Sequence, residues 1–87
     1  MSGDARACDV RLFGRQAEIA GAGSVAVEVV AGSTTCAEVL TRLGEAVPGL
    51  LPSLEASVLA VDHAVASPTR RLEGDEELAL IGLVGGG

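Results

Sequence analysis

The 87-residue chain carries six arginines, no lysine and twelve carboxylates, for a net charge of −6. That balance excludes the basic footprint a nucleic-acid-binding domain needs and favours a partner that presents a basic surface. The length allows one small domain, and with one Phe, no Tyr and no Trp its core has to be built from Val, Leu, Ile and Ala. No apolar run approaches membrane-spanning length, and residues 1–7 lack the apolar segment of a secretion signal, so a cytoplasmic protein with reduced thiols at Cys8 and Cys36 is expected.

In chain order, residues 1–7 are small and polar and are expected to be disordered. From Cys8 to Leu12 apolar and polar residues alternate, the mark of a half-buried strand, and Phe13 then places a ring on the polar side. Arg15 to Gly23 reads as a connection. Ser24 to Val30, rich in β-branched residues, reads as a second strand that forms a hairpin with the first. Thr35-Cys36-Ala37-Glu38 fits a capping box, and Cys36, Val39, Leu40, Leu43 and Val47 recur at helical spacing until Pro48 stops the helix. Leu50, Leu51 and Leu54 mark a loop or short helical turn pinned to the core. Val58 to Val61 reads as a third strand, Asp62-His63 as a tight turn and Ala64 to Ala66 as a short return strand. An acidic turn at residues 72–77 leads into a last apolar strand, Leu78 to Ile81. The order ββαβ(β)β predicts an α+β domain at 8–82, with one main helix on one face of a mixed sheet whose centre is the first strand beside the last.

The chain finishes Ile81-Gly82-Leu83-Val84-Gly85-Gly86-Gly87. Glycine lacks a Cβ, so Gly85, Gly86 and Gly87 suit a slot too narrow for side chains, and residues 83–87 are expected to form a flexible tail that carries a carboxyl group into another protein's active site. Full extension from Leu83 spans about 17 Å. A carboxylate is inert until activated, and the chain has no phosphate-cradling loop, so ATP must be bound by a partner. His63 sits in a turn without a nucleophile near it in sequence, which favours a surface role over a general base. The carboxylates of Asp75, Glu76 and Glu77 suit a solvated turn that faces basic partner residues better than a divalent-cation site. Cys8 and Cys36 share the spacing of core residues. Phe13, Val65 and Ile81 are apolar at outward positions, either as a docking patch or as residues half-covered by loops.

Three stretches carry a family resemblance: Val10 to Gly21 with its Leu-Phe strand end, Thr35 to Leu40, and Leu72 to Gly87 with an acidic turn, an apolar strand and a Gly-Gly end. Together they resemble the MoaD/ThiS-type sulfur carriers of ubiquitin-like β-grasp fold, above all the molybdopterin synthase small subunits. The resemblance implies a non-catalytic, sulfur-donating subunit that binds no cofactor itself. A ubiquitin-activating-like adenylyltransferase would use ATP and Mg to adenylate Gly87, and a persulfide would displace AMP to leave a thiocarboxylate. The molybdopterin synthase large subunit, in a heterotetramer, would accept the sulfur for molybdenum cofactor biosynthesis. The resemblance also implies docking through apolar residues at Phe13, Val65 and Ile81. Gly82, Leu83 and Gly85 stand where the family often has prolines and a serine, Asp62 where it often has Asn, and Ala17 where it often has a basic residue. Alternatives are a carrier for thiamine, cysteine, tRNA thiolation or a natural product, and a protein modifier conjugated through Gly87.

Overall fold

The computed structural model describes residues 5–83. Five strands form one mixed sheet: β1 (Ala5–Arg11), β2 (Ser24–Val30), β3 (Ser57–Val61), β4 (Ala64–Val65) and β5 (Leu78–Gly82), in the spatial order β2-β1-β5-β3-β4. The first and last strands lie side by side at its centre and run parallel, with Val10 opposite Leu78. Every other pair is antiparallel. The period-two pattern sends Cys8, Val10, Leu59, Val61, Leu78 and Leu80 to one face, where all are buried. On that face α2 (Cys36–Ala46) supplies Cys36, Val39 and Leu43, all buried within the same cluster. This two-layer arrangement is the one expected from the sequence.

Helix α2 begins as the sequence predicts. Thr35 Oγ1 accepts from the Glu38 N–H at 3.2 Å, and the Glu38 carboxylate accepts from the Thr35 N–H at 2.8 Å. That second bond, reinforced by the Thr35 hydroxyl, holds the Glu38 carboxyl below the usual carboxylate range. The two preceding helix donors find partners in the 68–70 loop: the Cys36 and Ala37 N–H groups donate to the carbonyls of Arg70 and Pro68. The helix ends at Ala46, before Pro48, and a 3-10 turn (Pro48–Leu50) with the short helix α3 (Leu51–Leu54) follows. Of the three leucines expected to pin this stretch to the core, Leu50 is fully buried and Leu54 half-buried against it, whereas Leu51 is exposed. Asp62 and His63 both have left-handed φ, 50° and 72°, and close the two-residue turn between β3 and β4.

Two expectations are corrected. Strand β1 begins at Ala5 rather than Cys8, so residues 5–7 are not a disordered leader; they pair with Val30, Val29 and Glu28 of β2. None of the three is buried, so no alternation of apolar residues announces them. The stretch 15–23 is not a plain connection either, because α1 (Gly14–Ala20) occupies most of it and gives the order βαβααβββ. Its end is set by Gly21, whose left-handed φ of 69° lets its N–H reach back to the helix carbonyls. No helix among the described residues is long and apolar enough to cross a membrane.

Candidate functional site

The candidate site is the end of the molecule at which β5 finishes. Past Gly82, the N–H of Leu83 donates to the carbonyl of Ala56 at 2.7 Å, which extends the β3–β5 ladder by one bond. Leu83, expected as the first tail residue, is therefore tied to the domain, with its side chain 62% exposed. The expected reactive residues Gly85, Gly86 and Gly87 lie outside the described residues.

Beside Leu83 opens a groove of about 860 Å³ between the start of α1, the 3-10 turn with α3, and the end of β5. Phe13, Ile19, Pro52, Ala56 and Ile81 give it apolar walls. Its polar floor is Gln16, which α1 points inward: Gln16 Nε2 donates to Ser57 Oγ at 2.9 Å and to Ser53 Oγ at 3.3 Å. Ser53 and Ser57 in turn donate to the carbonyls of Leu50 and Ser53. Every member thus has a partner, as a polar group 9% exposed requires. This network joins α1 to the root of β3 and was not visible in the sequence, where a lone Gln in an apparent loop carries no signal.

Two of the three expected docking residues meet here. Phe13 is 52% exposed, Ile81 is half-buried, and both line the groove. Arg11 stacks over the Phe13 ring, 5.9 Å from its centre. Val65 is 66% exposed but lies opposite Ala60 on the edge strand β4 and does not line the groove. It shares the outer sheet face with Ala60, Ala79 and Ile81, since Ala60 stands opposite both Val65 and Ala79. Exposed Ile19 also belongs to the groove, a residue its placement in a supposed connection had hidden.

The acidic turn divides its labour. The Glu76 carboxylate accepts from the N–H groups of Glu73 and Gly74 at 2.8 and 2.9 Å and so closes the loop. Burial alone would raise this carboxyl, but these donors and its own backbone outweigh it and hold the group below its usual range. Gly74 has φ +104°, and a Cβ there would meet Arg6 at 3.2 Å, so glycine suits the bend. Glu77 lies 3.2 Å from His63 Nε2 and 3.8 Å from Arg11, and its N–H donates to the Asp62 carboxylate at 2.9 Å. His63 is thus an exposed turn residue beside a carboxylate. Asp75 is exposed. No group of three or more His, Cys, Asp or Glu residues among the described residues is placed to hold a metal ion.

Both thiols are free and buried. Burial pushes the Cys8 and Cys36 thiols up, away from the thiolate, and Cys8 Sγ donates to the Gly74 carbonyl at 3.3 Å. Among the described residues the site consists of Leu83, tied by its N–H to the Ala56 carbonyl, beside an apolar groove.

Three comparisons with known proteins bear on this geometry. No curated protein matches the sequence. Among solved structures, SAMP1 from Haloferax volcanii is 26% identical, with 94% of this chain and 100% of that one covered at a TM-score of 0.75. A second structure, H. volcanii small archaeal modifier protein 1, is 25% identical over 90% of this chain and 98% of that chain, at 0.74. The Haloferax volcanii HVO 2177 protein, 18% identical, covers 95% of this chain and 88% of its own at 0.76, a likeness of fold alone. These likenesses agree with the mixed sheet and its main helix in making this a ubiquitin-like β-grasp. The ThiS family model matches residues 10–87, from the middle of β1 through the groove to the final glycines, and the chain belongs to the ThiS family.

Proposed function

We propose that this protein is a sulfur carrier whose Gly87 is adenylated by a ubiquitin-activating-like enzyme with ATP and Mg and then converted to a thiocarboxylate. The observation that carries the reading is the family match through residue 87 on a chain whose root at Leu83 is pinned beside an apolar groove. A persulfide sulfur attacks the activated carbonyl carbon and AMP leaves. The attack forms a C–S bond and an acyl disulfide; a thiol then cleaves the S–S bond brought by the persulfide, forming a disulfide with the donor and leaving the thiocarboxylate anion, a soft nucleophile at neutral pH. The chain contributes position and reach, while the partner contributes the nucleotide site. Phe13 and Ile81 dock the partner, and Val65 extends the apolar surface across the outer sheet face. Asp75 and Glu77 meet basic partner residues, with Glu76 shaping the loop that presents them. The acceptor is the molybdopterin synthase large subunit, in keeping with the resemblance of the sequence to that enzyme's small subunits.

The likeness to SAMP1 favours a second reading, a protein modifier joined through Gly87 to target lysines. Having no lysine, the chain offers no side-chain amine for linkage to further copies of itself. A pull-down of the full chain, with partners identified by mass, tests the assignment. Capture of a pterin-synthase large subunit supports the lead reading, a thiamine- or cysteine-pathway enzyme moves the carrier to another pathway, and isopeptide-linked targets favour the modifier.

A further inference from the structure

We infer that the groove beside Leu83 receives a partner segment in which an apolar side chain is accompanied by a carboxylate, and that the carboxylate pairs with Arg15. The inference rests on the partner-docking reading above and adds the chemistry of the partner's element. Among the described residues, Arg15 is the one charged residue that lines the groove. The other polar groups there, Gln16, Ser53 and Ser57, are already bonded to one another and to backbone carbonyls, so they offer an incoming segment little. Among the described residues Arg15 takes part in neither of the ion pairs, and its side chain is exposed. An apolar trough with a single cation at its lip calls for an apolar anchor with one anion beside it. On a protein of net charge −6 the place matters, because an acidic element is repelled by most of the surface and accepted at this end.

Two other occupants fit less well. The chain beyond Leu83 is Val84 and three glycines, too little apolar volume to fill about 860 Å³ between Phe13, Ile19 and Ile81. A second copy of the chain would bring its own net charge of −6 against the first. A partner that takes hold of the chain after Leu83, by contrast, approaches the end of the molecule where the groove opens, because the Leu83–Ala56 bond ties Leu83 next to the groove residues Ala56 and Gly82.

The test is an NMR titration of the ¹⁵N-labelled full chain with acetyl-Ala-Leu-Asp-Leu-Ala-amide and with its Asn and Lys counterparts. Amide shifts are expected at Ile19, Ala56, Ile81 and Gly82, with the Asp peptide binding at least about threefold more tightly than the Lys peptide, the size of one exposed ion pair. Arg15→Glu should reverse that order without disturbing the rest of the spectrum. Shifts away from the groove, an order unchanged by Arg15→Glu, binding that appears only after removal of residues 84–87, or concentration-dependent self-association at the groove would each overturn the assignment. Thiocarboxylation of Gly87 is read separately by intact mass. A chain that gains sulfur but ignores the peptide series defeats the groove assignment alone; one that binds the peptides but gains no sulfur defeats the carrier reading and leaves the groove standing.

Discussion

Gln16 on α1 and Ser57 at the start of β3 are joined by a buried hydrogen bond of 2.9 Å, across 41 positions of sequence. Through it the short helix that walls the groove is held to the strand that anchors Leu83. A seven-residue helix is too short to persist by its own propensity, so such tertiary ties decide whether it forms.

Gln16→Ala is expected to lower stability by about 1–2 kcal/mol, the loss of a buried hydrogen-bonded group whose partner Ser57 keeps its bond to the Ser53 carbonyl. Urea unfolding measures the loss. Backbone shift changes confined to α1, α3 and the residues near Leu83 would locate it, and changes spread over β2 and α2 would count against the network.

The loop at 73–76 gives a pH dependence. Glu76 has a folded pKa below its unfolded value, so its contribution is present above the ordinary glutamate pKa of about 4.3 and is lost as pH falls through the lower folded value. Glu76→Gln should cost about 1 kcal/mol at pH 7, after allowance for solvent screening at a partly exposed site, and should flatten the acid limb. Thermal melts between pH 7 and pH 3 check this. Parallel acid limbs in the two proteins would show that another carboxylate carries the effect. Glu38, lowered by its capping bonds, contributes in the same direction and remains in both.

What could be read from the chain followed the strength of the local signal. The capping box at Thr35 and Glu38, the alternation in β1, the β-branched run of β2 and the apolar run of β5 each express a local rule, and each element is formed, with β1 beginning three residues earlier than expected. The beginning of β1 did not show because Ala5, Arg6 and Ala7 are held by pairing to β2 rather than by burial. Helix α1 did not show because its inward residue is a polar Gln and it spans only seven positions. Without that helix, Ile19 could not be placed beside Phe13 and Ile81, so the groove was invisible while two of its walls were named. Glu76 was read as facing a partner because its bonds to Glu73 and Gly74 depend on a left-handed bend at Gly74 that composition does not reveal.

The thiols are expected to be packing residues. Cys8→Ala combined with Cys36→Val should retain sulfur loading, with a modest loss of stability from the smaller side chain at position 8. In the native wild type both thiols should react slowly with a disulfide reagent at neutral pH, since burial holds them protonated. A folded double variant that no longer acquires sulfur would place a cysteine in the transfer.

For the docking surface, Phe13→Asp and Ile81→Asp should each weaken binding of the captured partner by about 2 kcal/mol or more, because apolar anchors dominate such interfaces. Val65→Asp, on the far edge strand, should cost less. Calorimetric titration separates the three. Equal affinities for the wild type and the Phe13 variant would move the interface elsewhere.

The most direct measurement concerns Gly87. Its deletion moves the chain end back by up to about 3.5 Å, and a misplacement of even about 1 Å can cost about 100-fold in rate. Wild type, the Gly87 deletion and a chain extended by one residue are incubated with the activating enzyme, ATP, Mg and a persulfide donor, and intact mass is recorded. The wild type is expected to gain the increment for exchanging one carboxyl oxygen for sulfur, while the two variants, folded alike, are not. A deletion variant that gains sulfur as fast as the wild type would contradict the central claim.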